Sequence, residues 1–146
     1  MKARFDFYNA SPDTMKAVFA TQKVIDATGL EHRLVELVKL RASQINGCLF
    51  CMSMHAADAR NRGIPNEVLD TLPGWHEAPW FSQRERAALA WTDHLTRLSD
   101  ADHDDEALYR ALADQFTEKE CTDLTYVIGV INMLNRFGVG FRRAPD

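Results

Sequence analysis

Only one stretch of this chain, Tyr126-Val127-Ile128-Gly129-Val130-Ile131, has the composition of a buried strand, and no alternating apolar run elsewhere could pair with it. A lone strand has no sheet to join. The same stretch also carries a helical pattern, since Leu124, Ile128, Ile131 and Asn135 repeat at helical intervals. Just before it, Thr117-Glu118-Lys119-Glu120 has the spacing of a capping box. With a sheet removed, the chain is committed to helices.

The rest of the punctuation agrees. Ser11-Pro12 reads as a helix start, with a capping hydroxyl and proline at the first helical position, and Met15, Val18, Phe19 and Ile25 follow at helical spacing until Gly29. A second helix is expected from Glu31 to Asn46, with Gly47 as its left-handed stop. A third begins at or just before Cys48 and ends before Gly63 and Pro65. Pro73-Gly74-Trp75 and Pro79-Trp80 mark a loop, and the capping box Ser82-Gln83-Arg84-Glu85 opens a helix to about Leu98. Leu108, Leu112 and Phe116 define another helix, and Cys121 to Phe137 the last. About six helices with short links and no internal repeat predict a single compact all-α domain over residues 1–146.

Composition adds the compartment and excludes some partners. A chain of 146 residues that is 46% apolar can build a core without disulfide staples, so its three cysteines point to chemistry rather than scaffolding. The net charge of -4, with both signs mixed along the chain, argues against a nucleic-acid surface. No apolar run of membrane-spanning or signal-peptide length is found, so no membrane partner is expected. The expected setting is a reducing cytoplasm, where two cysteines separated by two residues are metal-binding or redox-active.

The chemistry is concentrated in Cys48-Leu49-Phe50-Cys51. Two thiols in the first turn of a helix lie close enough for a disulfide, and the positive end of the helix dipole favours a thiolate. His55 lies one turn beyond Cys51 on the same helical face, where an imidazole could take or return a proton. Two blander readings stay open on these residues alone. Cys48, Cys51 and His55 with a carboxylate could hold zinc, although no second paired-ligand cluster exists, or the cysteines could be inert core residues. Cys121 has no histidine one turn away and reads as a structural cysteine. Gly138-Val139-Gly140 lacks the context of a nucleotide loop and is assigned no ligand.

Glu36 lies about 140 degrees from the centre of the Leu34, Leu37, Val38 stripe on a helical wheel, so composition alone makes it a solvated glutamate. Its spacing to the thiols changes that. Glu36, Cys48, Cys51 and His55, together with Leu37 to Gly47, resemble the signature of the AhpD-like alkylhydroperoxidases within the carboxymuconolactone decarboxylase family. Ser82 to Trp91 and Asn132 to Arg136 resemble short all-helical members more loosely.

The resemblance implies an all-α subunit assembled into trimers or hexamers, and an enzyme that reduces alkyl hydroperoxides with no cofactor and no metal. It makes Cys51 the peroxidatic thiol, Cys48 the resolving thiol, and Glu36 with His55 a proton relay through a water. A dithiol or disulfide-reductase electron donor would then regenerate the pair. Two departures matter: some peroxidase members carry histidine where Phe50 stands, and the decarboxylase branch of the family lacks the cysteine pair that this chain has. Outside this reading stand a zinc-binding or non-catalytic helical module and a thiol redox sensor built on the same residues.

Overall fold

Both capping boxes form as their spacing predicts. The Ser82 hydroxyl accepts from the Glu85 amide at 3.1 Å while the Glu85 carboxylate accepts from the Ser82 amide at 2.8 Å, and Thr117 and Glu120 repeat the exchange. The computed structural model describes residues 2–145, and among them the chain folds into α-helices with no strand. In order these are α1 (Phe7–Ala10), α2 (Pro12–Ala27), α3 (His32–Ile45), α4 (Leu49–Asn61), α5 (Asn66–Asp70), α6 (Gln83–Thr96), α7 (Glu106–Ala113) and α8 (Glu118–Gly140). Single turns of 3-10 helix lie at Leu72–Gly74 and Leu98–Asp100.

Eight helices replace the expected six. The two additions are short: α1, capped by the Asp6 carboxylate on the amides of Tyr8 and Asn9, and α5, a five-residue turn after Pro65. Neither is long enough to show a helical period in sequence. The Ser11 hydroxyl does not cap α2 but donates to the Thr14 hydroxyl at 2.7 Å, and Pro12 marks the start by itself. The strand-like Tyr126–Ile131 stretch is helical within α8, which also runs past Phe137 to Gly140. There Arg4 closes its C-terminus, with the guanidinium on the Gly140 carbonyl at 2.9 Å and the amide on Phe141 O at 3.0 Å.

The centre of the molecule is α3. Every residue from Leu34 to Ser43 is buried, including Glu36, Lys39 and Arg41, because α4, α6 and α8 pack around it. An amphipathic surface helix would have exposed half of these. Arg41 makes a bidentate pair with Asp93 of α6, both contacts at 2.6 Å, and Glu36 meets His55 of α4, while the Ser43 hydroxyl donates back to the Lys39 backbone carbonyl at 2.7 Å. On one side of α3, Val38, Ala88, Leu124 and Val127 form one core, and on the other Leu37, Leu72, Trp75 and Leu89 form a second. A smaller cluster of Phe7, Met15 and Val18 seats α1 and α2 against Phe137 of α8. None of the helices is long and apolar enough to cross a membrane.

Candidate active site

A left-handed turn delivers the two cysteines to the core. After α3, Gly47 adopts φ 65°, a region that glycine enters without a Cβ penalty, and the chain doubles back so that the Cys48 amide donates to Ser43 O at 3.0 Å. Cys48 is the N-cap of α4, with its carbonyl accepting from Met52 N at 2.9 Å. Cys51 and His55 follow on the buried side of the same helix with Ala59, the shared face that their spacing predicts. Both cysteines are free thiols and nearly inaccessible, at 1% and 3% exposure.

Glu36 meets this face from α3. Its Oε2 lies 3.1 Å from His55 Nδ1, and both side chains are buried. The wheel angle that made Glu36 look solvated is correct, but α4 covers that face of α3. Burial would raise the Glu36 carboxyl, yet the His55 hydrogen bond and charge, with Lys39 and Arg62 beyond, hold it below its ordinary value. An ionised Glu36 accepts the Nδ1 proton of His55, and the other ring nitrogen, Nε2, is buried and has no hydrogen-bond partner among the described residues.

The sulfurs share one charge. The Cys51 thiol beside it draws the Cys48 thiol down to about 7 against the effect of burial, and the Cys51 backbone amide and the Asn135 side chain add to this. Cys51 is pushed up by the neighbouring Cys48 sulfur, by burial and by the charge on Cys48. Ionisation of the pair is therefore favoured at Cys48, at the N-cap position where the dipole of α4 is strongest, and opposed at Cys51.

Two contributors from α8 lay outside the residues singled out by sequence. Gly138, assigned no role there, packs against the pair so closely that a Cβ would stand 2.6 Å from Cys48 Sγ and 3.6 Å from Cys51 Sγ. Asn135, one turn earlier, is fully buried; its amide donates to Ser43 Oγ at 3.1 Å and its carbonyl accepts from Asn46 Nδ2 at 2.8 Å. Asn46 also donates to Asn132 Oδ1 at 3.0 Å, extending a polar ladder behind the thiols. A buried asparagine at a core position of a helical stripe was the available signal.

The two thiols open in different directions. Cys51 and His55 line a cavity of about 240 Å³ whose wall is mostly apolar, including Phe7, Val18, Phe19 and Phe137. Cys48 instead borders a separate, shallower hollow with Gly47, Leu49, Arg142 and Arg143. Phe50, where some relatives of the resembling family carry histidine, lines the Cys51 cavity and lies under the Arg143 guanidinium at 5.0 Å. Among the described residues, the donor atoms that gather within 4.8 Å of one another belong to Glu36, His55 and Asp58, with no cysteine. The thiolate-rich zinc set considered from sequence is not brought together. Cys121 lies apart, half-buried, with its sulfur toward Phe116 O at 3.8 Å.

The family model of the carboxymuconolactone decarboxylase family matches residues 12–94, which contain Glu36, both site cysteines and His55 but not α8. The uncharacterized protein YdfG of Bacillus subtilis is 33% identical over 139 residues, covering 95% of this chain and 94% of YdfG. A crystal structure from Agrobacterium tumefaciens, of a protein of unknown function named as a candidate antioxidant defence protein AhpD, superposes with a TM-score of 0.95 at 37% identity and covers 99% of both chains. The debrominase Bmp8, solved with a tribromopyrrole, shares the fold at a TM-score of 0.84 and 20% identity, over 94% of this chain and 73% of its own.

Proposed function

This chain belongs to the carboxymuconolactone decarboxylase family, and from that premise we propose that it is an AhpD-like peroxidase that reduces alkyl hydroperoxides through a Cys48–Cys51 dithiol cycle. One observation carries the reading: Cys51 and His55 line the same apolar cavity, and His55 has Nδ1 held by Glu36 and Nε2 without a hydrogen-bond partner among the described residues. A thiol, a base oriented by a carboxylate and a dry space for an organic molecule are what thiol-based peroxide reduction needs.

The steps follow from those positions. His55 Nε2 takes the Cys51 proton, directly or through a water, and the new thiolate attacks the terminal oxygen of the hydroperoxide. The O–O bond breaks, Cys51 becomes a sulfenic acid, and the departing alkoxide collects the proton from the His55 imidazolium to leave as an alcohol. Cys48, as its thiolate, then attacks the Cys51 sulfur; an S–S bond forms and hydroxide leaves to be protonated to water. A dithiol donor reduces the disulfide by exchange and is itself oxidised to a disulfide. The division of labour suits the charges: the sulfur in the cavity is activated only beside its base, and the resolving sulfur needs no further activation.

Assembly belongs to the same proposal. Phe19 and Met54 on the cavity wall and Leu49 beside Cys48 are exposed, and a trimer or hexamer in a reducing cytoplasm covers them. Sedimentation at micromolar concentration checks this, and a monomer overturns it.

The central experiment adds one equivalent of cumene hydroperoxide to fully reduced protein and follows peroxide and the Cys48–Cys51 peptide by rapid-quench mass spectrometry. Loss of two hydrogens from that peptide, matched to peroxide consumed within seconds, is the expected result. Unchanged thiols after minutes would replace it with the non-catalytic or metal-binding module, and rapid oxidation that no dithiol reverses would replace it with a redox sensor.

A further inference from the structure

The cavity beside Cys51 has one feature that an indifferent alkyl pocket would lack. Lys39 of α3 lines it and is 6% exposed, in a wall otherwise built mainly from Val18, Phe19, Val130, Ile131 and Phe137. Among the described residues its Nζ makes one hydrogen bond, a long one of 3.3 Å to Gln22 Oε1 on α2. Gln22 is itself committed on its other side, its amide donating to Asp26 Oδ1 at 2.8 Å. An ammonium carries three N–H donors, so two are left over. None of the described carboxylates closes an ion pair with Lys39. Glu36, one turn back on α3, has its Oε2 engaged by His55.

The charge environment is specific as well. Burial pulls the amine below its ordinary value, while the fields of Glu36, Asp26 and Asp58 favour the protonated form and Arg62 opposes it. A buried ammonium without a close counter-ion is costly, and an anion arriving in the cavity reduces that cost. A lone ammonium matches a carboxylate; a phosphate dianion would ask for a fork of donors around it.

We propose that the cavity selects small hydroperoxides that carry a carboxylate, with the apolar body against the aromatic wall, the carboxylate on Lys39 Nζ and the peroxide at Cys51. The anion site rests on the cavity itself, and only the reactive end rests on the peroxidase reading given above.

The test compares cumene hydroperoxide with its para-carboxylated derivative in turnover, and 4-isopropylbenzoate with the neutral 4-isopropylbenzyl alcohol in calorimetric binding to reduced protein. The carboxylated member of each pair is expected to be favoured about tenfold, and Lys39→Met is expected to bring both ratios to about one while Lys39→Arg retains them. Equal treatment of the two members by the native protein, or a preference that survives in Lys39→Met, overturns the proposal. Should Lys39→Met fail to fold, Lys39→Gln asks the same question. The two readings fail separately: Lys39-dependent binding of the benzoate without turnover of either peroxide removes the peroxidase and leaves the anion site, whereas equal turnover of both peroxides does the reverse.

Discussion

Gly138 of α8 stands against Cys48 with no room for a side chain: a methyl group there would meet the sulfur at 2.6 Å. The absence of a Cβ is what allows α8 to close over both thiols, and it joins the last helix of the chain to a pair of residues some ninety positions earlier in sequence. The contact has a built-in control, because Gly129 lies in the same helix and a Cβ there would meet nothing within 4 Å.

Alanine at these two positions should therefore act in opposite directions. Gly129→Ala gains helix propensity and is expected to stabilise the protein by about 0.5–1 kcal/mol. Gly138→Ala forces a methyl onto Cys48 Sγ and is expected to destabilise by about 1–3 kcal/mol and to slow disulfide formation. Chemical denaturation of both variants and the rate of thiol loss with peroxide check this. Equal stabilisation by both would mean that the sulfurs yield freely.

The shared proton predicts a titration with one visible step. Thiolate absorbance of the reduced native protein should rise with a midpoint of about 7, from Cys48, while Cys51 stays protonated well above it. In Cys51→Ala the neighbour that most favours the Cys48 thiolate is gone, and the midpoint should move up toward that of an ordinary thiol. A midpoint unchanged in Cys51→Ala would assign the stabilisation to the helix and Asn135 instead.

Glu36 gives a prediction on the acid side. Its folded pKa lies below the ordinary value of 4.5, so its ionised form contributes stability that is fully present above 4.5 and is lost as pH falls through the lower folded value. Glu36→Gln lacks that acid-dependent loss, and the gap between native and variant should close as the pH of denaturation is lowered below 4.5. At neutral pH the same variant is expected to slow peroxide reduction by about 100-fold, since His55 loses the carboxylate that fixes its tautomer. A variant as fast as the native protein would remove Glu36 from the relay.

How much of this could be read from the sequence depends on what each residue's signal was made of. The capping boxes at Ser82 and Thr117, Pro12 and the Gly47 stop are local, and the structure repeats them. The shared buried face of Cys51 and His55 is also local, set by one turn of one helix. Apart from the Ser11 hydroxyl, which turns to Thr14 instead of capping α2, what failed depended on neighbours. A helical wheel assigns Glu36 to solvent because it assumes that one face of α3 is free, and α3 has none over Leu34 to Ser43. The spacing resemblance to a known family put Glu36 at the site where the wheel could not. Gly138 carried no motif, and Asn135 showed only as a polar member of a helical stripe and of a loosely resembling stretch; their roles arise from how α8 lies on the thiols.

Asn135 is the strongest of these unread residues and supports the last prediction. Its amide faces Ser43 and the thiols and its carbonyl holds Asn46, so removing it takes one hydrogen-bond partner from each of these groups. Asn135→Leu should destabilise the protein by about 1–3 kcal/mol, as the loss of buried hydrogen bonds does. The side chain also favours the thiolate at both Cys48 and Cys51, so the same variant should raise the Cys48 midpoint. Packing loss alone could produce the first effect but not a directed shift in the second. Asn135→Asp separates them further, because it keeps the size of the side chain but sets a carboxylate against the thiolate, and should raise the midpoint more than Asn135→Leu does. If both variants lose stability while thiolate absorbance keeps its native midpoint, Asn135 is a structural residue of the ladder and the thiolate owes its stability to Cys51 and the N-terminus of α4.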